Sequence, residues 1–315
     1  MPPGKMHPDE VETDVALVRR LLAGQFPQWA DLSIEPVQSD GTDNAIYRLG
    51  DDLAVRLPRI HWAIGQVDKE LRWLPRFAPL LPLAIPVPLV KGTPAEGYPW
   101  HWSVYTWLEG ENATIERIAD PSKAATDLAY FVAALQRIDA TDGPRPGDFN
   151  SFRGVPLAVR DDETRAAIAS LVGVLDTDVV TAAWEEALKA PVWNGPPVWI
   201  HGDLQSGNLL AVAGRLSAVI DFGCLGVGDP ACDLLPAWML FSGESREVFR
   251  TALLVDDATW ARGRGWALSV SLIALPYYRD TNPGFAALAR HTIEEVLADH
   301  RGTSRYSPAE APPSI

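Results

Sequence analysis

The sequence predicts an α+β chain: a strand-rich first third followed by a mainly helical remainder, with the texture changing near Glu109 to Asn112. Three observations predict it. Up to Glu109, short apolar and β-branched runs alternate with Gly, Asp and Pro turn signals. Beyond Asn112, apolar residues recur at three- and four-residue spacing, as in Leu128, Phe131, Val132, Leu135 and Ile138. The length of 315 residues is enough for two domain-sized units.

Taken in order, Val11 to Phe26 places Val11, Val15, Val18, Leu21 and Leu22 on one helical face. Asp9 and Glu10 favour its start, and Gly24 and Pro27 bound its end. Three short strands follow at Leu32 to Val37, Ala45 to Leu49 and Leu53 to Leu57. The last two flank Gly50-Asp51-Asp52, a hairpin signal. Between the first two lies a polar loop, Ser39 to Asn44, with one glycine. Val67 to Phe77 reads as a helix. Pro75 to Pro99 then holds seven prolines, which forbids regular helix and predicts an extended crossing. Trp100 to Leu108 reads as a strand. In the remainder, Val179 to Leu188 and Phe285 to Leu297 are further helices, and Val198 to Phe222 holds short apolar strands around polar loops. The stretch from Arg301, rich in Ser, Pro and Ala, reads as a disordered tail.

Composition narrows the function. Net charge is −14 and no basic run occurs, so nucleic acid and anionic membrane are poor partners. Two readings of the acidity stand side by side: steering of a cationic substrate, and plain solubility. Cys224 and Cys232, without a CxxC or a histidine pair, argue against a disulfide framework or structural zinc. Met1 to Pro8 lacks the apolar core of a secretory signal, and no apolar stretch has membrane-spanning length, so the expected compartment is the cytoplasm.

The chemistry concentrates in His201 to Asp233. Asp203 is a loop carboxylate following the short strand Val198 to Ile200. Asn208 and Asp221 offer an amide carbonyl and a second carboxylate, hard oxygen donors of the kind Mg²⁺ prefers, and Mg²⁺ takes few ligands from protein. Leu209 and Leu210 with Ala218 to Ile220 read as a hairpin presenting Asn208 and Asp221 together. One carboxylate to take a hydroxyl proton and two oxygen donors to hold metal is the division of labour that phosphoryl transfer requires. No Gly-x-x-x-x-Gly-Lys-Ser/Thr occurs, which excludes a P-loop kinase.

His201-x-Asp203-x-x-x-x-Asn208 followed by Asp221-Phe222-Gly223 resembles the catalytic and metal loops of protein-kinase-like enzymes. The wording HGDLQSGNLL with AVIDFGCLGVGDPACDLL is similar to the aminoglycoside phosphotransferase family. SDGTDNAIYRL, KELRWL, IPVPLVKG and YTWLEG resemble, in order, that family's nucleotide-covering loop, first-lobe helix, proline-rich crossing and hinge. The resemblance spans Ser33 to about Glu295. It implies a bilobal protein-kinase-like fold, with a small antiparallel-sheet N-lobe (1–109) that binds nucleotide and a larger mainly helical C-lobe (110–300) that binds substrate.

The resemblance also implies roles. Asp203 orients or deprotonates an acceptor hydroxyl, and Asn208 and Asp221 hold Mg²⁺. Arg56, where most relatives carry lysine, takes the α- and β-phosphates of ATP or GTP and pairs with Glu70. Gly41, Thr42 and Asn44 cover the phosphates, and the main chain of Thr106, Trp107 and Leu108 holds the base. Asp229 and Asp233 brace the loops. The implied activity is O-phosphorylation of a small molecule, first an aminoglycoside antibiotic, otherwise a macrolide or another hydroxylated metabolite. A catalytically silent ligand-binding relative is the alternative that Arg56 raises, since arginine is longer and planar where lysine is usual.

Several residues keep a plainer reading. Glu70 suits a solvated helix face as well as an ion pair, and Gly41 suits a simple turn. His201 reads as a hydrogen-bonding loop residue. Asp161, Asp162, Glu163, Glu244 and Asp280 suit an amine-bearing acceptor and equally a solvated surface. The twelve tryptophans suit core and lobe interface, with ring faces that also fit a cationic ligand.

Overall fold

The computed structural model describes residues 10–37 and 43–304. Its first unit is an antiparallel sheet of β1 (Ile34–Pro36), β2 (Asn44–Leu49), β3 (Leu53–Pro58), β4 (Pro88–Gly92) and β5 (Trp102–Thr106), in the order β1-β2-β3-β5-β4. The predicted turn at Gly50 joins β2 to β3, and their register sets Ile46 opposite Arg56. β4 was not legible as a strand within the proline-rich crossing. It lies at the sheet edge and begins on Pro88, where a missing N–H costs no ladder bond.

Helix α1 (Val15–Gln25) covers one face of this sheet, packing Leu17, Val18, Leu21 and Leu22 into a core with Val55, Leu57, Trp102 and Val104. It begins four residues later than the periodicity suggests. Asp14 is the cap, accepting from the Leu17 N–H at 2.6 Å. Upstream, the Val11 N–H donates to the Arg59 carbonyl at 2.9 Å, and Glu10 pairs with Arg59 at 2.6 Å. That tie to the end of β3 holds the segment out of the helix. Asp9 lies outside the described residues.

Helix α2 (Gln66–Phe77) belongs to both units. Trp73, Leu74 and Phe77 enter the larger core, with the Trp73 and Phe77 rings edge-on to Trp199 at 4.6 and 4.8 Å between centroids. Pro75 falls in its last turn.

The remainder is built from α3 (Pro121–Gln136), α4 (Asp161–Ser170), α5 (Thr177–Leu188), α6 (Pro236–Met239), α7 (Gly243–Leu253), α8 (Asp257–Tyr278) and α9 (Pro283–Ser304). Among them run β6 (Glu111–Asn112), β7 (Val198–Ile200), β8 (Leu209–Val212), β9 (Arg215–Val219) and β10 (Gly226–Gly228), which form two small sheets of order β6-β8-β9 and β10-β7. α8 is the buried axis of the unit. Gly263 lets it lie against Leu234, because a Cβ there would come within 2.6 Å of the leucine side chain. α9 runs on to Ser304, so the first four residues expected in the tail are helical, and 305–315 lie outside the described residues. Among the described residues, no helix is long and apolar enough to cross a membrane.

Candidate active site

The loop after β7 is set by main-chain chemistry. Asp233, fully buried, accepts from the N–H groups of His201 (2.8 Å) and Gly202 (2.7 Å). Burial pushes its carboxyl up to about 7 even with those two donors. Gly202 has φ +83°, and a Cβ there would meet the Cys224 carbonyl at 2.8 Å, so glycine is required on both counts. His201 is buried with both ring nitrogens engaged: Nε2 on the Ile220 carbonyl (3.0 Å) and Nδ1 on the Asp203 N–H (3.2 Å). Nδ1 therefore accepts and Nε2 donates. Burial lowers its pKa to about 4, so the ring is neutral and tethers two loops together. Asp229 is spent on Arg262, at 2.7 and 3.1 Å.

Asp203 and Asn208 come together as the spacing suggests. The Asn208 amide nitrogen donates to the Asp203 carbonyl (2.8 Å) and carboxylate (2.9 Å). Burial raises the Asp203 pKa, Arg153 opposes that from 3.8 Å, and Asp221 adds to it. The Asp203 side chain stays 29% exposed, so its carboxylate is open to a ligand.

Asp221 follows β9, where the Ile220 N–H donates to the Asn208 carbonyl at 2.9 Å and joins the two loops. Its backbone is left-handed (φ +62°), a state that costs a non-glycine residue about 1–3 kcal/mol unless its surroundings impose it. The Gly223 N–H (3.3 Å) and Arg56 Nη2 (3.0 Å) both donate to its Oδ1. Asn208 spends its amide nitrogen on Asp203 and so keeps its oxygen for a ligand, while Asp221 is 44% exposed. An amide oxygen and a carboxylate fit Mg²⁺, which completes its octahedron with phosphate and water. Among the described residues, no group of three His, Cys, Asp or Glu converges on a metal position.

Across the cleft, Arg56 of β3 holds Glu70 of α2 through Nη1, at 2.6 and 2.7 Å to the two carboxylate oxygens. The pair is 11% and 1% exposed. The Tyr105 hydroxyl also donates to Glu70. Burial disfavours the charge on Arg56, but Glu70 and Asp221 outweigh it and raise its pKa above the ordinary value. The Asn44 amide sits 2.8 Å from Arg56 Nη2, and the donors of the guanidinium assign its oxygen to that side. Gly41 and Thr42 lie outside the described residues. At the hinge, the Thr106 and Trp107 N–H groups donate to the Val87 and Asp52 carbonyls, at 3.1 and 2.7 Å. Those two donors are therefore not available to a nucleobase.

Three contacts escaped the sequence reading. Gln66 (2.9 Å to Arg56) and Lys69 (2.5 Å to the Gly223 carbonyl) share a face with Glu70, a spacing that could have flagged them. Arg153 comes from a loop fifty residues upstream of Asp203, and nothing local marks it.

Two adjoining cavities of about 350 and 440 Å³ open beside the Asp221-Phe222-Gly223 loop. The larger is lined by Asp43, Trp62, Asp148, Phe149, Ser151 and Tyr277 among others. None of the acidic residues singled out from sequence lines either one. Asp161 instead accepts from Trp184 (2.7 Å) and Arg165 (2.8 Å), and Asp280 lies against Arg279.

The model of the phosphotransferase enzyme family matches residues 33–266. Among curated proteins, an uncharacterised protein of Bacillus subtilis, YcbJ, is 28% identical over 193 residues, 59% of this chain and 57% of that protein; the match thus spans little more than half of the relative's length. Among solved structures, the GDP and kanamycin complex of an aminoglycoside phosphotransferase superposes with a TM-score of 0.70 at 19% identity, covering 90% of this chain and 98% of that one. A macrolide 2′-phosphotransferase from Brachybacterium faecium gives 0.59 at 21% identity, covering 89% and 97%. The fold of the chain is thus the bilobal protein-kinase-like one, a five-stranded antiparallel sheet followed by a helical C-terminal region.

Proposed function

The chain belongs to the phosphotransferase enzyme family, and from that membership we propose that it moves the γ-phosphoryl group of ATP or GTP to a hydroxyl of a small molecule. The observation that carries this reading is the convergence of Asp203, Asn208 and Asp221 opposite the Arg56–Glu70 pair. Asp203 accepts the proton of the acceptor hydroxyl. The freed oxygen bonds to the γ-phosphorus, the bond to the bridging oxygen breaks, and the nucleoside diphosphate leaves. Asn208 and Asp221 hold Mg²⁺, which supplies neutralisation of charge on the phosphates. Arg56 grips the α- and β-phosphates, Glu70 aims it, and Asn44 lies at the phosphate side of the guanidinium. Gly41 and Thr42 are assigned to the loop over the phosphates. The base lies along Thr106, Trp107 and Leu108, read by carbonyls and by donors beyond Trp107. Residues 1–109 form the nucleotide lobe and 110–300 the catalytic and acceptor lobe.

The acceptor enters by the larger cavity. Two carboxylates, Asp43 and Asp148, and the rings of Trp62, Phe149 and Tyr277 suit an amine-bearing acceptor with an apolar face. An aminoglycoside is the first candidate, and a macrolide, whose amine sits on a larger apolar body, is the second. The bond between Arg56 and Asp221 favours one further reading, a relative that binds nucleotide without turnover.

Nucleoside-diphosphate release with ATP and GTP across aminoglycosides, macrolides and small amino alcohols tests the proposal. Acceptor-dependent release should fall by about 10²–10⁴-fold in Asp203→Ala while nucleotide binding persists. Undiminished release in that variant would remove Asp203 from the chemistry. Binding without release for any acceptor would promote the silent reading.

A further inference from the structure

Helix α2 directs three residues of its first turns, Gln66, Lys69 and Glu70, at the cleft, because positions i, i+3 and i+4 share a face. Glu70 and Gln66 both serve Arg56. Lys69 does something different. Its ammonium donates to the main-chain carbonyl of Gly223 at 2.5 Å and lies 5.0 Å from the centre of the Phe149 ring. Gly223 ends the Asp221-Phe222-Gly223 loop, and its own N–H donates to Asp221. The loop is therefore held at two points, by Arg56 on the Asp221 carboxylate and by Lys69 on the Gly223 carbonyl.

The two holds differ in what becomes of them on loading. A metal–nucleotide complex calls on the same atoms that Arg56 and Asp221 use on each other: phosphate claims the guanidinium, and metal claims the carboxylate. The bond from Lys69 uses neither. It anchors a loop whose first residue sits in a left-handed conformation and needs outside restraint. α2 is itself fastened to the larger core through Trp73 and Phe77, so the anchor is rigid.

We propose that Lys69 is a positioning residue for the metal loop, keeping Asp221 aimed at the metal–nucleotide complex after Arg56 has turned to the phosphates. This rests on the reading of Asp221 as a metal ligand.

The test is calorimetric titration of the full chain with ADP, once with Mg²⁺ and once with EDTA, for wild type, Lys69→Met and Lys69→Arg. Losing a charge-assisted hydrogen bond on the loop should weaken Mg·ADP binding by about tenfold in Lys69→Met. Metal-free ADP should bind Lys69→Met within about twofold of wild type, and Lys69→Arg, which keeps charge and donors, should recover part of the loss. A purely structural lysine would weaken both forms alike, and that result overturns the proposal. Undiminished Mg·ADP affinity in both variants overturns it as well. Wild type that binds ADP no better with Mg²⁺ than without would sink the metal-ligand reading underneath, an outcome visible before any variant is made.

Discussion

Replacing Glu70 by alanine should cost more stability than any other single change at the cleft. The carboxylate is 1% exposed and takes two bonds from Arg56 Nη1 and one from the Tyr105 hydroxyl. Its removal leaves a buried phenol without its acceptor, worth about 1–3 kcal/mol. It also leaves a guanidinium only 11% exposed that must rely on Asp221 and Gln66. Breaking a buried ion pair from one side typically costs about 3–5 kcal/mol. The phenol belongs to the same cluster and the Asp221 contact survives, so the cost lies at the lower end of the ion-pair range, about 3–4 kcal/mol, or a fall in Tm of about 5–6 °C for a chain of this size. Thermal unfolding followed by circular dichroism measures it. The double variant Arg56→Met/Glu70→Leu removes both charges together and should regain the share due to the unpaired guanidinium, though not that of the Tyr105 hydroxyl, while losing affinity for the nucleotide phosphates. A Glu70→Ala protein that melts within 2 °C of wild type would refute the argument, since the pair would then be no more than a solvated contact.

Two further outcomes follow from the loop after β7. The His201 pKa is held near 4 by burial against an ordinary 6.5, so between those values the unfolded chain binds a proton that the folded one does not, and stability falls as pH drops. Asp233, raised to about 7, acts with the opposite sign over much of that window. The stability difference between wild type and His201→Gln isolates the histidine: it should shrink by about 1.5 kcal/mol between pH 6.5 and 5 in urea titrations, and a pH-independent difference would show the ring free to protonate. Gly202→Ala combines a positive φ with a Cβ at 2.8 Å from the Cys224 carbonyl. It should lower stability by about 2 kcal/mol or more, with loss of Asp203 alignment read as reduced turnover per folded molecule. Unchanged Tm would mean that the loop relaxes freely.

The strongest legibility lay where chemistry is local in the chain. Asp203 and Asn208 sit in one turn, five residues apart, and the hairpin that returns Asp221 beside them is short, so spacing alone implied their convergence. The strands β2 and β3 were readable because a glycine turn and alternating side chains specify a hairpin without outside help. The pairing of Arg56 with Glu70 needed the family resemblance to suggest it, because nothing in the thirteen intervening residues forces a strand and a helix to face each other.

What only the tertiary structure decided has one physical cause: burial from several sides erases local pattern. α8 has no polar face to give it period, because α5, α9 and the loop of Leu234 enclose it, and it went unread. β4 hid inside a run of prolines and is a strand only because β5 offers it an edge. The start of α1 was moved by a distant arginine, Arg59, which claimed Glu10. The acidic residues most conspicuous in the sequence, Asp161 to Glu163, proved to be tied to Trp184 and Arg165 or turned to the surface, while the cleft is lined by Asp43 and Asp148. A motif records which groups must meet. Which carboxylates line the cavity, and which lysine bonds to the Gly223 carbonyl, depends on elements brought together across the whole chain.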